Sequence, residues 1–283
     1  MRMGAQTVLL ALAVLTAQAA PAGAGSQKTQ KITPRVAREL LAPVCSSGAA
    51  TGACTPCPAF TSFHDNTGEG LTPTAVSYGH FTGSRLTDAL VDMDGCEPHV
   101  NNFGGSLLLR WQGLTSWKLL RYVQGIRTGQ CLKVPAAGGR DLLLCQGNYG
   151  GMGTVVENLV LLDLAQPDVL TQNFFSTYDT AEACSPTGSI QHIVDWKLLP
   201  GRGGAAGSNV SGLEVSIKSA TFTRAQGDTK AHDPCAGKLS AAPSRIYRLS
   251  YTFSGSRFAL LPAARPAVAA LTRDNPYFAG NAP

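Results

Sequence analysis

An all-β fold of antiparallel meander sheets is predicted by three features of the sequence: short apolar runs that alternate or are continuous, glycine-bearing turns between them, and little helical spacing. A weak internal repeat adds detail. A glycine-bearing turn leads into Thr87-Asp-Ala-Leu-Val-Asp92, into Arg140-Asp-Leu-Leu-Leu-Cys145 and, more loosely, into Leu213-Glu-Val-Ser-Ile217, each followed by further strands. The expectation is a partial, propeller-like arrangement of about three blade-like sheets, with a β-sandwich or barrel as the alternative.

The chain opens on Arg2, an apolar run from Val8 to Leu15 and the small-x-small triplet Ala17-Gln18-Ala19. This reads as a signal peptide over residues 1–19, cleaved after Ala19. The apolar run is well short of the ~20 residues a spanning helix needs, so the expected product is exported, secreted or periplasmic, and not membrane-spanning. Residues 20–59 read as a flexible leader, a short helix and a Cys-rich loop. Thr33 and Pro34 have the chemistry of an N-cap and first helical residue, Val36, Leu40 and Leu41 give an apolar side, and Pro43 ends the helix.

Residues 60–262 carry the β-domain. Val76 to Cys96 holds two strands and a tight turn; in Thr87 to Met93, Ala89, Val91 and Met93 alternate with Asp88, Leu90 and Asp92. Leu107–Trp111 and Trp117–Val123 continue the meander. Asp141–Cys145 and Asn158–Leu164 are nearly continuous apolar runs, which suits strands covered on both faces. Ile193–Leu199 and Leu213–Phe222 follow, the latter with Leu213, Val215 and Ile217 against Glu214, Ser216 and Lys218, which predicts one wet face. Tyr247, Leu249, Tyr251 and Phe253 repeat that spacing, and the tail 263–283 offers one helical turn over Val268 to Leu271.

The 23 basic and 18 acidic side chains are dispersed without a run, which is no nucleic-acid footprint. The eight cysteines, Cys45, Cys54, Cys57, Cys96, Cys131, Cys145, Cys184 and Cys235, are an even set in a disulfide-permissive compartment. Cys184 is expected to join Cys235, and Cys131 to join Cys145 or Cys96. Cys54-Thr-Pro-Cys57 has redox spacing, but Pro58 and a loop-like flank do not supply the helix N-terminus that would stabilise a thiolate, which favours structural bridging.

Asp92, Asp94, Glu97 and His99 form the densest polar cluster. A strand running into a turn accounts for it; the rivals are a hydrolase using these residues and a calcium-dependent adhesion site. His64, His80, His99, His192 and His232 show no ligand spacing. Trp111, Trp117 and Tyr122 could stack a sugar or peptide, but alternating aromatics are more often core. Asn209-Val-Ser211 fits a glycosylation acceptor. No catalytic residue, metal ligand or cofactor is assigned. The expectation is a non-catalytic binding or structural module for an unknown protein or carbohydrate partner.

Gly79-His-Phe-Thr-Gly83-Ser-Arg-Leu-Thr-Asp88 with its following apolar strand resembles the blade signature of FG-GAP or VCBS repeats, the integrin-α-like propellers. Gly79, Phe81, Gly83 and Asp88 carry the match, over about one blade. The resemblance implies blade-like sheets and a calcium loop, but His80, Thr82 and Ser84 stand where the family places oxygen ligands, so the turn is expected to be structural and metal-free. Gly83 is expected to supply a positive φ, Asp88 to accept N–H groups from the loop, and Asp92 to matter less.

Overall fold

The computed structural model describes residues 30–45, 52–64, 70–113, 116–201, 210–225, 237–276 and 278. The expected signal peptide, Asn209, His232 and Cys235 lie outside these residues.

Strands follow one another as antiparallel neighbours almost throughout, because short turns join them and each needs a hydrogen-bonding partner. The first sheet is β1 (Gln30–Lys31), β2 (Thr72–Gly79), β3 (Asp88–Asp94), β4 (Gly104–Trp111) and β5 (Trp117–Gln124), in that spatial order. A second ladder begins with β6 (Cys131–Pro135), β7 (Asp141–Gly151), β8 (Thr154–Leu162) and β9 (Leu170–Asp179). It continues with β10 (Thr187–Pro200), β11 (Val210–Arg224), β13 (Arg245–Phe253) and β14 (Phe258–Leu260), while β12 (Leu239–Ala241) pairs with the end of β11. Between β9 and β10 a single position pairs, Ile190 with Asp179. The ladder therefore divides there into two meanders, giving three in all, and the repeated segments fall in β3, β7 and β11, the second strand of the four-stranded run in each. Among the described residues the strands form no closed barrel.

Alternation distributes the side chains between three cores. On one face of the first sheet Ala89, Val91, Met93, Leu107 and Leu109 pack under Leu40, Leu41, Cys54, Cys57 and Leu71. Leu40 and Leu41 come from α1 (Pro34–Leu41), whose N-cap Thr33 accepts from the Val36 amide through its side chain. On the other face, Phe81, Leu90 and Leu108 meet Leu143, Cys145 and Leu162 of the second meander. The opposite face of that meander sends Leu142, Leu144, Leu159 and Leu161 against Leu213, Val215, Ile217, Leu249 and Tyr251 of the third. Thus β7 and β8 are covered on both faces, whereas Glu214 on the outer face of β11 pairs with Lys197 of β10, at 2.8 Å. The last core is closed by Leu271 and Phe278, the former on α2 (Arg265–Asp274), a longer helix than the single turn expected.

Two bulges adjust the side-chain order. Register slips between Leu159 and Val160 opposite β9, so Phe174 and Phe175 both enter the core although they are consecutive. In β10 the slip between Ile193 and Asp195 puts Val194 outside and returns Trp196 and Leu198 to the inner side. Three bridges, Cys45–Cys54, Cys57–Cys96 and Cys131–Cys145, tie the loops and the β6–β7 pair. The two cysteines of Cys54-Thr-Pro-Cys57 thus bond to separate partners. Cys184 is also disulfide-bonded; its expected mate Cys235 lies outside the described residues. No helix of the described residues is long and apolar enough to cross a membrane.

Candidate functional site

The acidic cluster does not converge on one point. Asp92, on β3, is buried and accepts from the Thr128 amide (2.7 Å) and hydroxyl (2.9 Å), the Gly129 amide (3.2 Å) and the Ser106 hydroxyl (3.1 Å). Burial raises its pKa, and these hydrogen bonds offset that only in part. Asp94 pairs with Arg127. Glu97, 3 % exposed, accepts from the Ser62 amide (3.1 Å) and hydroxyl (2.6 Å), from Asn101 (2.9 Å) and from Gln124 (3.2 Å). Asp92 and Asp94 are both taken up by the Arg127–Gly129 turn, and Glu97 by Ser62, Asn101 and Gln124. Asp92, expected to matter less than Asp88, is buried like it and accepts from four donors. Among the described residues no three His, Cys, Asp or Glu side chains are arranged to hold a metal ion.

At the other end of β3, Asp88 is fully buried. Its Oδ2 accepts from the Thr82 amide (2.8 Å) and hydroxyl (2.6 Å), and its Oδ1 faces Arg110 at 3.3 Å. The His80 amide donates to Asp141 Oδ2 at 2.9 Å, and the His80 ring lies 2.7 Å from the Leu86 carbonyl. Phe81 is fully buried between the first and second meanders. Gly79 and Gly83 are both outside the left-handed region, contrary to the expectation for Gly83. What Gly83 supplies is space: a Cβ there would come within 2.9 Å of the Leu86 side chain.

The aromatic trio is split. Trp111 and Trp117 pair across β4 and β5 with centroids 5.1 Å apart, and Trp117 continues to Tyr78 at 6.1 Å. Tyr122 packs instead on Phe60 at 5.2 Å, and its phenol pKa is driven up by burial and by the Glu97 carboxylate. His192 was not distinguished by sequence from the other histidines, yet its Nε2 lies 3.0 Å from Asp179 and its Nδ1 3.7 Å from Glu157. Glu157 also accepts from the Ile193 amide at 2.6 Å. This cluster bridges the sparsely paired β9–β10 seam, supplying a hydrogen bond where the ladder lapses.

A cavity of about 790 Å³ lies by the β10–β11 end, with the hydroxyls of Thr187, Thr221, Thr223 and Ser240 in its lining. A second feature joins aromatic and polar groups. The core between the first two meanders runs out at Gly147 and Asn158, a directly paired couple in which a Cβ on Gly147 would collide with Asn158 Oδ1. Beyond them a recess of about 240 Å³ opens into a cleft of about 400 Å³ whose walls are the turn from His99 to Phe103 and the end of β7.

Phe103 and Tyr149 face this cleft from the two walls and remain 56 % and 50 % exposed. His99 packs behind Phe103, ring centroids 5.0 Å apart, and Asn102, Arg127 and Asn148 supply polar groups. The turn is held in an uncommon shape. Asn102 and Phe103 have φ of 51° and 55°, and Met152 at the β7–β8 hairpin tip has φ 52°. Such conformations persist only when neighbours enforce them. Here Asn102 Nδ2 donates to the Gly125 carbonyl at 2.8 Å and Arg127 donates to the Asn102 carbonyl at 2.5 Å.

Sequence reasoning did not find this cleft, since Phe103 and Tyr149 sit in turn-like, glycine-rich stretches with no periodicity and are brought together only by sheet packing. Compared with models of protein families, with curated proteins and with solved structures, the chain matches none.

Proposed function

We propose that the chain is an exported, disulfide-bonded, non-catalytic β-module that works in a secreted or periplasmic setting and binds a partner at the cleft between its first and second meanders. The observation that carries this reading is the exposure of Phe103 and Tyr149 on opposite walls, with Phe103 held in a backbone conformation that a bulky residue rarely adopts. Asp92, Asp94 and Glu97 are each taken up by their own donors in the Arg127–Gly129 turn or around Ser62, which supports a binding role over a hydrolytic one that needs convergent acids and bases. Three bridges support an oxidising compartment. The likeness to FG-GAP or VCBS blades remains part of the proposal, supported by the recurrence of the repeat segments in β3, β7 and β11.

The test immobilises the oxidised protein and passes the medium or envelope fraction of the exporting cell over it, beside a Phe103→Ala/Tyr149→Ala double variant that melts like wild type. Material retained by wild type and lost by the variant is expected. Equal retention by both, or none by either, would overturn the assignment of binding to this cleft.

A further inference from the structure

Resting on the binding-module reading, we infer that the cleft takes a neutral saccharide, one sugar ring lying between Phe103 and Tyr149. A sugar ring has apolar C–H faces and a rim of hydroxyls that both donate and accept. Aromatic walls suit the faces, and carboxamides such as Asn148, with two donors and an acceptor, suit the rim. The cleft, about 400 Å³, lies in the size range of small-ligand sites, and a recess of about 240 Å³ adjoins it.

Charge selects for a neutral ligand. Arg127 is the one strongly basic group of the cleft wall, and it is already paired with Asp94 and donating to Asn102. Its charge is thus balanced by Asp94 before a ligand arrives, and its remaining Nε is buried. β6 pairs with β7 only over Asp141–Cys145, so the cleft wall at Asn148–Gly150 is ladder-paired on its β8 side alone, and an extended peptide added to that edge is the outcome indicated if no neutral glycan binds while retention is still lost in the double variant. The wall opposite is a turn fixed by Glu97, Asn102 and Arg127, so the Phe103 ring is placed before the ligand arrives, which lowers the ordering cost of binding.

Oxidised protein is screened against immobilised neutral and acidic glycans, and neutral hits are measured by calorimetry with the free oligosaccharide. A neutral glycan is expected to bind with little dependence on salt, and Phe103→Ala and Tyr149→Ala are each expected to weaken it by about tenfold or more. Asn148→Ala, at an exposed position that fixes no turn, serves as a third variant should the aromatic changes disturb folding, and is expected to weaken binding without moving the melting midpoint. Absence of any neutral hit, binding confined to acidic glycans and abolished by salt, or affinity unchanged in all three variants would overturn the saccharide. If no neutral glycan binds but the double variant still loses the retained envelope material, the saccharide class fails while the binding module stands. If that retention is also unaffected, both fail.

Discussion

Asp92 and Thr128 are joined twice: the Thr128 amide reaches one carboxylate oxygen at 2.7 Å and its hydroxyl reaches the other at 2.9 Å. This couples the middle of the first sheet to the turn that launches β6, and so to the second meander. Replacing Asp92 with alanine leaves the Thr128 and Gly129 amides without their acceptor in a buried setting, at a cost of roughly 1–3 kcal/mol. Thermal melting of Asp92→Ala is expected to show this loss; an unchanged midpoint would mean that the turn finds other partners.

Two carboxylates should give stability opposite pH slopes. Burial raises the Asp92 pKa, so the folded state holds its proton more tightly than the unfolded chain. The resulting stability is present at low pH and is lost as pH rises through the folded value. For Asp163, burial pushes upward, but the bidentate pair with Arg140 (2.7 and 2.9 Å) and the Ala165 amide outweigh it and lower the pKa. Its contribution is present above the unfolded value and is lost as pH falls through the folded one. Melting Asp92→Asn and Asp163→Asn against wild type from about pH 2.5 to 7 separates them. The wild-type advantage over Asp163→Asn should grow with pH, while that over Asp92→Asn should shrink; parallel profiles would refute both assignments.

Phe81 tests whether the first two meanders share a core. It is fully buried beside Leu90, Leu143 and Leu162, from both sheets. Phe81→Ala should cost about 3–5 kcal/mol, and Phe81→Leu distinctly less, since it retains much of the lost volume. A loss below about 1 kcal/mol for the alanine variant would show that the seam contributes little.

The strongest sequence signals came from strands with a simple environment. The runs 141–145 and 158–164 read as buried because β7 and β8 have hydrocarbon on both sides, and 213–217 reads as half-wet because the outer face of β11 carries Glu214. Where the backbone breaks period, the signal fades. The bulge at Val194 places Ile193 and Trp196 on one side three residues apart, so only 193–199 of the longer β10 stands out. Leu170-Thr-Gln-Asn in β9 has little apolar content, and the adjacent Phe174 and Phe175 mimic no alternation. Gly104 and Gly105 look like a turn but open β4, where a Cβ on Gly104 would strike the Met93 carbonyl. The cleft residues were illegible for a further reason: Phe103 and Tyr149 are 46 positions apart and meet through packing of separate meanders.

The bridges are expected to stabilise the Cys-rich segment most. Cys57–Cys96 closes 39 residues and Cys45–Cys54 nine, and both cover the α1 side of the first sheet. Cys131–Cys145 instead joins directly opposed residues of β6 and β7. A bridge typically adds about 2–4 kcal/mol by restricting the unfolded chain, more for the longer loop in the chain-entropy model. Cys57→Ser/Cys96→Ser should therefore lower stability more than Cys45→Ser/Cys54→Ser. Non-reducing peptide mapping should recover these three pairs; a Cys54–Cys57 linkage would reopen a redox role.

The loop from Gly79 to Asp88 gives a sharp test of whether hydrogen bonds alone hold a chain reversal. Asp88 binds the Thr82 amide and hydroxyl, Arg110 balances its charge, and His80 is fastened at its amide by Asp141. These contacts hold the reversal from within, with the Asp88 carboxylate turned to the loop backbone. Asp88→Ala should leave the Thr82 amide unpaired beside an uncompensated arginine and cost roughly 1–3 kcal/mol, comparable to Asp92→Ala. Wild-type melting should not change with a calcium chelator or with added calcium. Arg110→Met, which removes the opposing charge as well, should recover part of the loss when combined with Asp88→Ala, because no unpaired cation then remains. A chelator-induced fall in the wild-type midpoint that calcium reverses would instead place a cation among these oxygens, and the hydrogen-bonded account of the turn would have to be abandoned.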